Sequence, residues 1–323
     1  MKRGLVPVIL MLMAPLGACS DDSPGKGDAG PFEHDAAVVN CVVDPPAPES
    51  ERKAGPHPEG GHILISGRLV TPHGELYPIG GHPINVKVLP GGDHLLVTES
   101  GWRKPHKLFV VDAVTGDVLD TESPGRFWFG IAPTADGSTI YVGGGGSRQL
   151  YVYDFARDLG QVDLRTQVDL GGVFVGAVAL TPDEDRILTV DNEGKNLVVL
   201  DASTLATVAE VRVGDQPYDV VVDAARDQAI VSIWGESQVV FVDLGTYELS
   251  HTLGVGKNPE NMVFGPDGDT LYVVESDSNS FSAIDLPTRT VTDIVEVDIW
   301  HASLRGINPN HLALTPDNES ILV

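Results

Sequence analysis

Residues 239–243 read Val-Val-Phe-Val-Asp, and a hydrophobic strand ending in Asp recurs along the chain. Its other copies are Val110-Val111-Asp112, Tyr151-Val152-Tyr153-Asp154, Val199-Leu200-Asp201 and Ala283-Ile284-Asp285. The closing aspartates lie 42, 47, 42 and 42 residues apart. A period of this length, made of short strands, marks a β-propeller in which each repeat is one blade. The sequence therefore predicts an all-β chain of four-stranded antiparallel blades. Chemistry does not follow from that, because propellers host many unrelated functions.

Each repeat has the same grammar: an opener, an apolar strand, a tight turn, a second strand, a variable loop, the Asp-ended strand, another turn and a fourth strand. The first turns include Pro90-Gly91-Gly92-Asp93, Ala135-Asp136-Gly137, Pro182-Asp183-Glu184, Pro266-Asp267-Gly268 and Pro316-Asp317-Asn318. Pro presets φ, while Gly and Asn tolerate positive φ, which suits them to hairpin turns. The strand-final aspartates precede the second set of turns. There their carboxylates can accept backbone N–H groups two residues on, a structural assignment.

The expected blades run over 81–125, 126–170, 171–214, 215–256 and 257–306, with a sixth starting at Ile307. That repeat reaches only its second strand at Val323. An unpaired strand edge is a liability, so the expectation is the front of a longer protein with a seven-bladed ring, truncated here in its sixth repeat. A six-bladed ring with irregular ends is the alternative. Ile63–Val70 and Glu75–Ile79 read as a hairpin around His73-Gly74, donated to close the ring.

The N-terminus carries an address. Lys2 and Arg3 precede an apolar run, Leu5 to Leu12, too short for an ordinary membrane-spanning helix. Leu16-Gly17-Ala18-Cys19 then resembles a bacterial lipobox. It makes 1–18 a lipoprotein signal peptide and Cys19 the lipidated N-terminus; an ordinary secretory signal is the alternative. Multiple acyl chains would anchor the chain stably to the membrane. Ser20 at the next position points to the outer membrane. The expected location is the bacterial cell envelope, on the periplasmic or outer-membrane side. Residues 19–60, rich in Pro, Gly, Asp and Ala, read as a disordered tether reaching ~35 Å, followed by the propeller at 61–323. Cys41 lies in the tether. With Cys19 acylated it has no intramolecular partner.

The net charge is −25, and −27 once Lys2 and Arg3 leave with the signal. Such a surface repels phosphate backbones, so no nucleic-acid partner is expected.

The second strands and their exits share a register: Leu96-Val97-Thr98-Glu99, Tyr141-Val142-Gly143-Gly144, Leu188-Thr189-Val190-Asp191, Val231-Ser232-Ile233-Trp234 and Tyr272-Val273-Val274-Glu275. With the Pro-Asp-Gly turns and the Ile-Asp strands, this resembles the YVTN-type β-propeller repeat family over about 62–323. The family's Asn is replaced in every blade, so no role of that Asn carries over. The entry, Gly67-Arg68-Leu69-Val70-Thr71-Pro72-His73-Gly74 and Pro78-Ile79-Gly80-Gly81-His82-Pro83-Ile84-Asn85, resembles that of bacterial proteins joining such a propeller to a C-terminal phosphoesterase domain. The resemblance implies that catalysis would lie in that domain, and no residue here matches its metal ligands or nucleophile.

Strand alternation places the openers and the second-strand exits on one rim. All four tryptophans fall there: Trp102, Trp128, Trp234 and Trp300. Trp is bulky, amphipathic and common at binding hot spots. The same rim carries His82, Asn85, Tyr218, Asp219, Glu260, Asn261 and His311, with carboxylates at Glu99, Asp191, Glu236 and Glu275. Aromatics among carboxylates suit a protein, peptide or small-molecule ligand, cationic or sugar-like, or a hard cation such as Ca²⁺ through oxygen ligands. Packing of some tryptophans between blades is the alternative. No motif calls for a cofactor. Gly143-Gly144-Gly145-Gly146 lacks the following Lys and helix of a phosphate loop; it reads as a flexible loop or a place of close backbone approach. No Gly-x-Ser-x-Gly, His-Glu-x-x-His or Cys-x-x-Cys is present. The expectation is a lipid-anchored binding and recognition platform with no catalytic motif of its own. The N-terminal propeller of a phosphoesterase-type hydrolase, and a lactonase-like propeller hydrolase, are the alternatives.

Overall fold

The computed structural model describes residues 55–56, 62–63, 69–70, 77–100, 105–171, 174–297 and 308–323. Chain contacts divide it into two units, split between Leu76 and Tyr77. In the smaller, His62–Ile63 pairs with both Gly55–Pro56 and Leu69–Val70. The hairpin expected around His73-Gly74 has its turn outside the described residues.

The larger unit contains five four-stranded antiparallel blades in a propeller arrangement. The first comprises Pro83–Val88, His94–Glu99, Lys107–Asp112 and Val118–Glu122. The second comprises Ile131–Pro133, Thr139–Gly143, Gln149–Ala156 and Gln161–Asp169. Val175–Leu180, Arg186–Asp191, Asn196–Asp201 and Thr207–Arg212 make the third. Pro217–Asp223, Gln228–Ile233, Gln238–Asp243 and Glu248–Gly254 make the fourth. The fifth is Pro259–Phe264, Thr270–Glu275, Ser280–Asp285 and Thr290–Glu296. Ala313–Leu314 and Ile321–Leu322 pair as a further hairpin. In every blade the chain runs through adjacent strands in order. Among the described residues no helix is long and apolar enough to cross a membrane.

Burial explains the strand sequences. The second strands of the first, second and fourth blades, such as Gln228–Ile233, are buried at every position, and those of the third and fifth at nearly every one. They lie between neighbouring blades and so read as continuous apolar runs. Fourth strands, such as Glu248–Gly254, have solvent on one side and are largely exposed. The core is divided among the blade interfaces. Leu96, Leu108 and Val110 of the first blade pack on Ile140, Tyr151 and Tyr153 of the second. Leu188, Leu197 and Val199 of the third pack on Val231, Val240 and Val242 of the fourth. Ile230 and Phe241 of the fourth pack on Leu271 and Ile284 of the fifth.

The strand-final aspartates do close turns. Asp112 accepts the N–H groups of Val114 and Thr115 at 2.8 and 2.7 Å. Asp201 accepts those of Ser203 and Thr204, Asp243 that of Thr246, and Asp285 that of Thr288. Each of these turns has Thr three residues after Asp and a left-handed residue after that: Gly116, Leu205, Tyr247 or Arg289, with φ between 55° and 73°. Asp154 is different. Its strand continues to Ala156, and its carboxylate pairs with Arg165 across the hairpin. The long third and fourth strands of this blade account for its 47-residue spacing.

Candidate rim site

Four of the five innermost strands kink at the rim. Between Pro217 and Val220 the fourth blade has one residue more than the facing stretch between Ile233 and Val231, leaving Tyr218 and Asp219 in a β-bulge. The same shift places Gly176 and Ala177 in a bulge in the third blade, and Glu260 and Asn261 in the fifth. The first blade shifts between Pro83 and Asn85. A bulge re-aims side chains that a regular strand would alternate.

Re-aimed in this way, the second bulge residue reaches the next blade. Asp219 accepts the Met262 N–H at 2.9 Å and the Asn261 side-chain amide at 3.2 Å. Asn261 accepts the Leu312 N–H at 3.0 Å. Asn85 donates its amide to the Phe129 carbonyl. Removal from bulk water raises the Asp219 carboxyl to about 6, with the Met262 and Val220 amides, Lys87 and Asn261 acting in opposition. Desolvation and, after it, the charge of Lys87 on the first blade lower the pKa of His311. The charge of Lys87 thus acts on both Asp219 and His311.

The first bulge residue, with the opener before it, makes an aromatic cluster. Phe129 and Tyr218 stack at 4.8 Å, their planes 19° apart. They belong to the second and fourth blades, with Gly176 at the corresponding place in the third. Trp128 meets Phe174 edge-on at 5.4 Å and 83°. With Gly176, Asn192 and Pro217 these rings line a pocket of about 80 Å³. Trp128, Phe129, Phe174 and Tyr218 are all partly exposed. Gly145 lies beneath at φ 54°, where an added Cβ would sit 3.1 Å from Trp128 and 3.4 Å from Phe174. Its N–H and C=O form a two-way bridge with Val175. The glycine run is therefore a place of close backbone approach between the second and third blades.

Glu260 links this cluster to Trp234. Its carboxylate accepts the Trp234 indole N–H at 3.3 Å and interacts with the Tyr218 hydroxyl. Burial raises the Glu260 pKa, opposed by hydrogen bonds from Ser276, Trp234 and Tyr218. Burial likewise pushes the Tyr218 phenol up. The Trp234 carbonyl accepts the Asn258 side-chain amide at 3.1 Å.

The exit carboxylates hold the openers. Glu99 accepts the Gly81 and His82 N–H groups. Asp191 accepts that of Phe174 at 2.9 Å, and Glu275 that of Gly256 at 2.7 Å. Where Trp234 occupies the exit position, Glu236 accepts the Asp215 N–H at 2.8 Å instead. The exposed His82 ring contacts Ser100 at 3.1 Å. The structure thus joins Tyr218, Glu260 and Trp234, and joins Asp219 to Asn261, with Trp128 beside Phe129. Trp102, Trp300 and Cys19 lie outside the described residues. Among the described residues no three His, Cys, Asp or Glu side chains gather as a metal site. The sequence reading missed Phe129, Phe174 and Asn192. The available signal was that the second opener carries Trp128 where the first, fourth and fifth carry Pro, and that the third carries Phe174 just before the matching Val175.

The opposite rim has a larger cavity, about 350 Å³, lined by Thr181, Asp183, Asp185, Arg186, Asp227 and Tyr247. Arg186 is already engaged there by Asp201 at 3.1 Å and Tyr247 at 3.4 Å.

Blade architecture and an aromatic rim define the class: a β-propeller with a candidate binding face. No protein-family model matches the chain, and no curated protein sequence is similar to it. Among solved structures it is similar to Kuenenia stuttgartiensis hydrazine synthase. The TM-score is 0.62 and the identity 17%, over 77% of this chain and 75% of that one. The likeness is one of fold.

Proposed function

We propose that the chain is a cell-envelope lipoprotein, anchored through Cys19, whose propeller of YVTN-type blades binds a ligand on the rim carrying Trp128, Phe174, Tyr218 and Trp234. The observation that carries this reading is the pocket between Trp128, Phe174 and Tyr218, drawn from three successive blades and open to solvent. Aromatic side chains left partly exposed around a concavity are what binding sites need and what a core would bury. The buried carboxylate of Glu260 holds Trp234, and the stack with Phe129 holds Tyr218, which supports a pre-organised face and lowers the cost of binding.

A random peptide library displayed on phage and panned against the full chain tests the binding role. Selected peptides should lose about tenfold or more in affinity when Trp128 or Trp234 becomes Ala, as for interface hot spots. Tyr247→Ala on the opposite rim should leave them unchanged. Binders that respond only to Tyr247→Ala, or no binders at all, would remove the reading. The anchor is tested separately: labelled palmitate should enter the chain in a bacterial host and be lost in Cys19→Ser.

A further inference from the structure

Resting on the reading of this rim as a binding face, we infer that the Trp128–Phe174–Tyr218 pocket takes an organic cation of the trimethylammonium type, a positive charge with no N–H to donate. Ring surfaces dominate its walls: Trp128 and Phe174 stand at 83° to one another, and Phe129 and Tyr218 lie stacked beside them. Three of the polar groups around them already have partners. Asn192 gives its amide N–H to the Pro217 carbonyl at 3.2 Å. Asp191 accepts the Phe174 N–H at 2.9 Å. The Tyr218 hydroxyl is engaged by Glu260.

A sugar needs free donors and acceptors aimed at its hydroxyls, and an aliphatic group has no use for negative potential. A quaternary ammonium needs ring faces within about 6 Å of the charge and a negative surrounding field. Both are present. The Glu260 carboxylate acts on the Tyr218 hydroxyl, and the Asp191 carboxylate sits at the Phe174 backbone N–H. The chain's net charge of −25 attracts cations at longer range. The Arg126 guanidinium and the Phe174 ring both lie within 4 Å of where a Cβ on Gly146 would stand. The cation is therefore placed towards Tyr218, away from that guanidinium.

Choline and its uncharged isostere 3,3-dimethyl-1-butanol separate charge from shape. Ligand-observed saturation-transfer NMR on the full chain avoids dependence on tryptophan emission. Choline should bind saturably, and the isostere about tenfold more weakly or not at all. Trp128→Ala and Phe174→Ala should each abolish the choline signal, while Trp128→Phe retains part of it. Tyr218→Phe keeps the ring, loses only the link to Glu260, and should weaken choline about threefold with the thermal midpoint little changed. Equal binding of the two isosteres would overturn the proposal in favour of a plain apolar pocket. Saturable binding of glucose or N-acetylglucosamine with none of choline would overturn it in favour of a sugar site. If choline fails while panned peptides still depend on Trp128, the cation proposal falls and the binding platform stands.

Discussion

The carboxylate of Asp219, in the fourth blade, accepts the backbone N–H of Met262, in the fifth, at 2.9 Å. Asn261 repeats the contact one blade on, with the Leu312 N–H at 3.0 Å. Two residues that resemble site groups thus clamp the innermost strands together at the rim. The second and third blades carry Gly130 and Ala177 at the matching place. At Gly130 the backbones of the second and third blades approach one another directly, leaving no room for a side-chain clamp.

The Asp219 clamp makes stability depend on pH. Its carboxyl is raised by burial to about 6 from an ordinary 3.8, so the folded protein holds this proton more tightly than the unfolded chain. The associated stability is fully present below pH 3.8 and is lost as pH rises through about 6. At most it amounts to roughly 3 kcal/mol. Asp219→Asn removes the titration while leaving an oxygen to accept the Met262 N–H. Thermal midpoints measured from pH 3.5 to 7.5 should show the variant gaining on the wild type across this window. Parallel profiles would mean that Asp219 ionises normally.

Gly130 and Gly176 should respond differently to a methyl group. A Cβ on Gly130 would lie 2.2 Å from the Gly176 carbonyl oxygen and 2.9 Å from the Val178 nitrogen, both backbone atoms. The second and third blades would have to part, costing roughly 2 kcal/mol or more. On Gly176 the nearest atom is a Val190 side-chain methyl at 2.8 Å, followed by the Val190 carbonyl oxygen at 3.3 Å. Gly130→Ala should therefore be the more destabilising of the two in urea unfolding, and the reverse order would refute this account of the interface.

The difference between local and distant signals explains what the sequence disclosed. Asp201, Asp243 and Asp285 bond to amides two or three residues on, so strand, turn and register all lie within one short window. That window repeats in four of the five described blades. The Asp219–Met262 clamp joins residues 43 positions apart and depends on a bulge that moves side chains off the expected alternation. Its residue type also changes from blade to blade, as Asn85, Gly130, Ala177, Asp219 and Asn261. The exit acids Glu99, Asp191 and Glu275 were visible as rim carboxylates, but their bonds to opener amides were not. The Phe129–Tyr218 stack was hidden for another reason: it crosses a whole blade, and Gly176 at the corresponding place has no side chain.

Glu275 shows how much one such carboxylate carries. It is fully buried and accepts the Gly256 N–H at 2.7 Å and the Ser280 and Ser282 hydroxyls, each at 2.5 Å. Glu275→Ala would leave all three donors without this acceptor in a buried site, at a cost of roughly 3 kcal/mol or more. Glu275→Gln, retaining one acceptor oxygen, should fall between the alanine variant and wild type. Chemical denaturation of the three proteins checks the order; an alanine variant as stable as the wild type would show that these bonds do not hold the fifth blade's opener.

Glu260 gives the rim an internal reporter. Its carboxylate lies 3.3 Å from the Trp234 indole nitrogen, and burial raises its pKa above the ordinary 4.5. Protonation weakens the hydrogen bond from Trp234, because a charged acceptor holds an N–H more strongly than a neutral one. In a protein keeping Trp234 as its sole tryptophan, with Trp102, Trp128 and Trp300 changed to Phe, indole emission should titrate with a midpoint above 4.5. Glu260→Gln should flatten that curve, and Tyr218→Phe, by removing one stabilising donor, should move its midpoint higher still. A midpoint at or below 4.5 would place Glu260 in water and undo the argument that it pre-organises Tyr218 and Trp234.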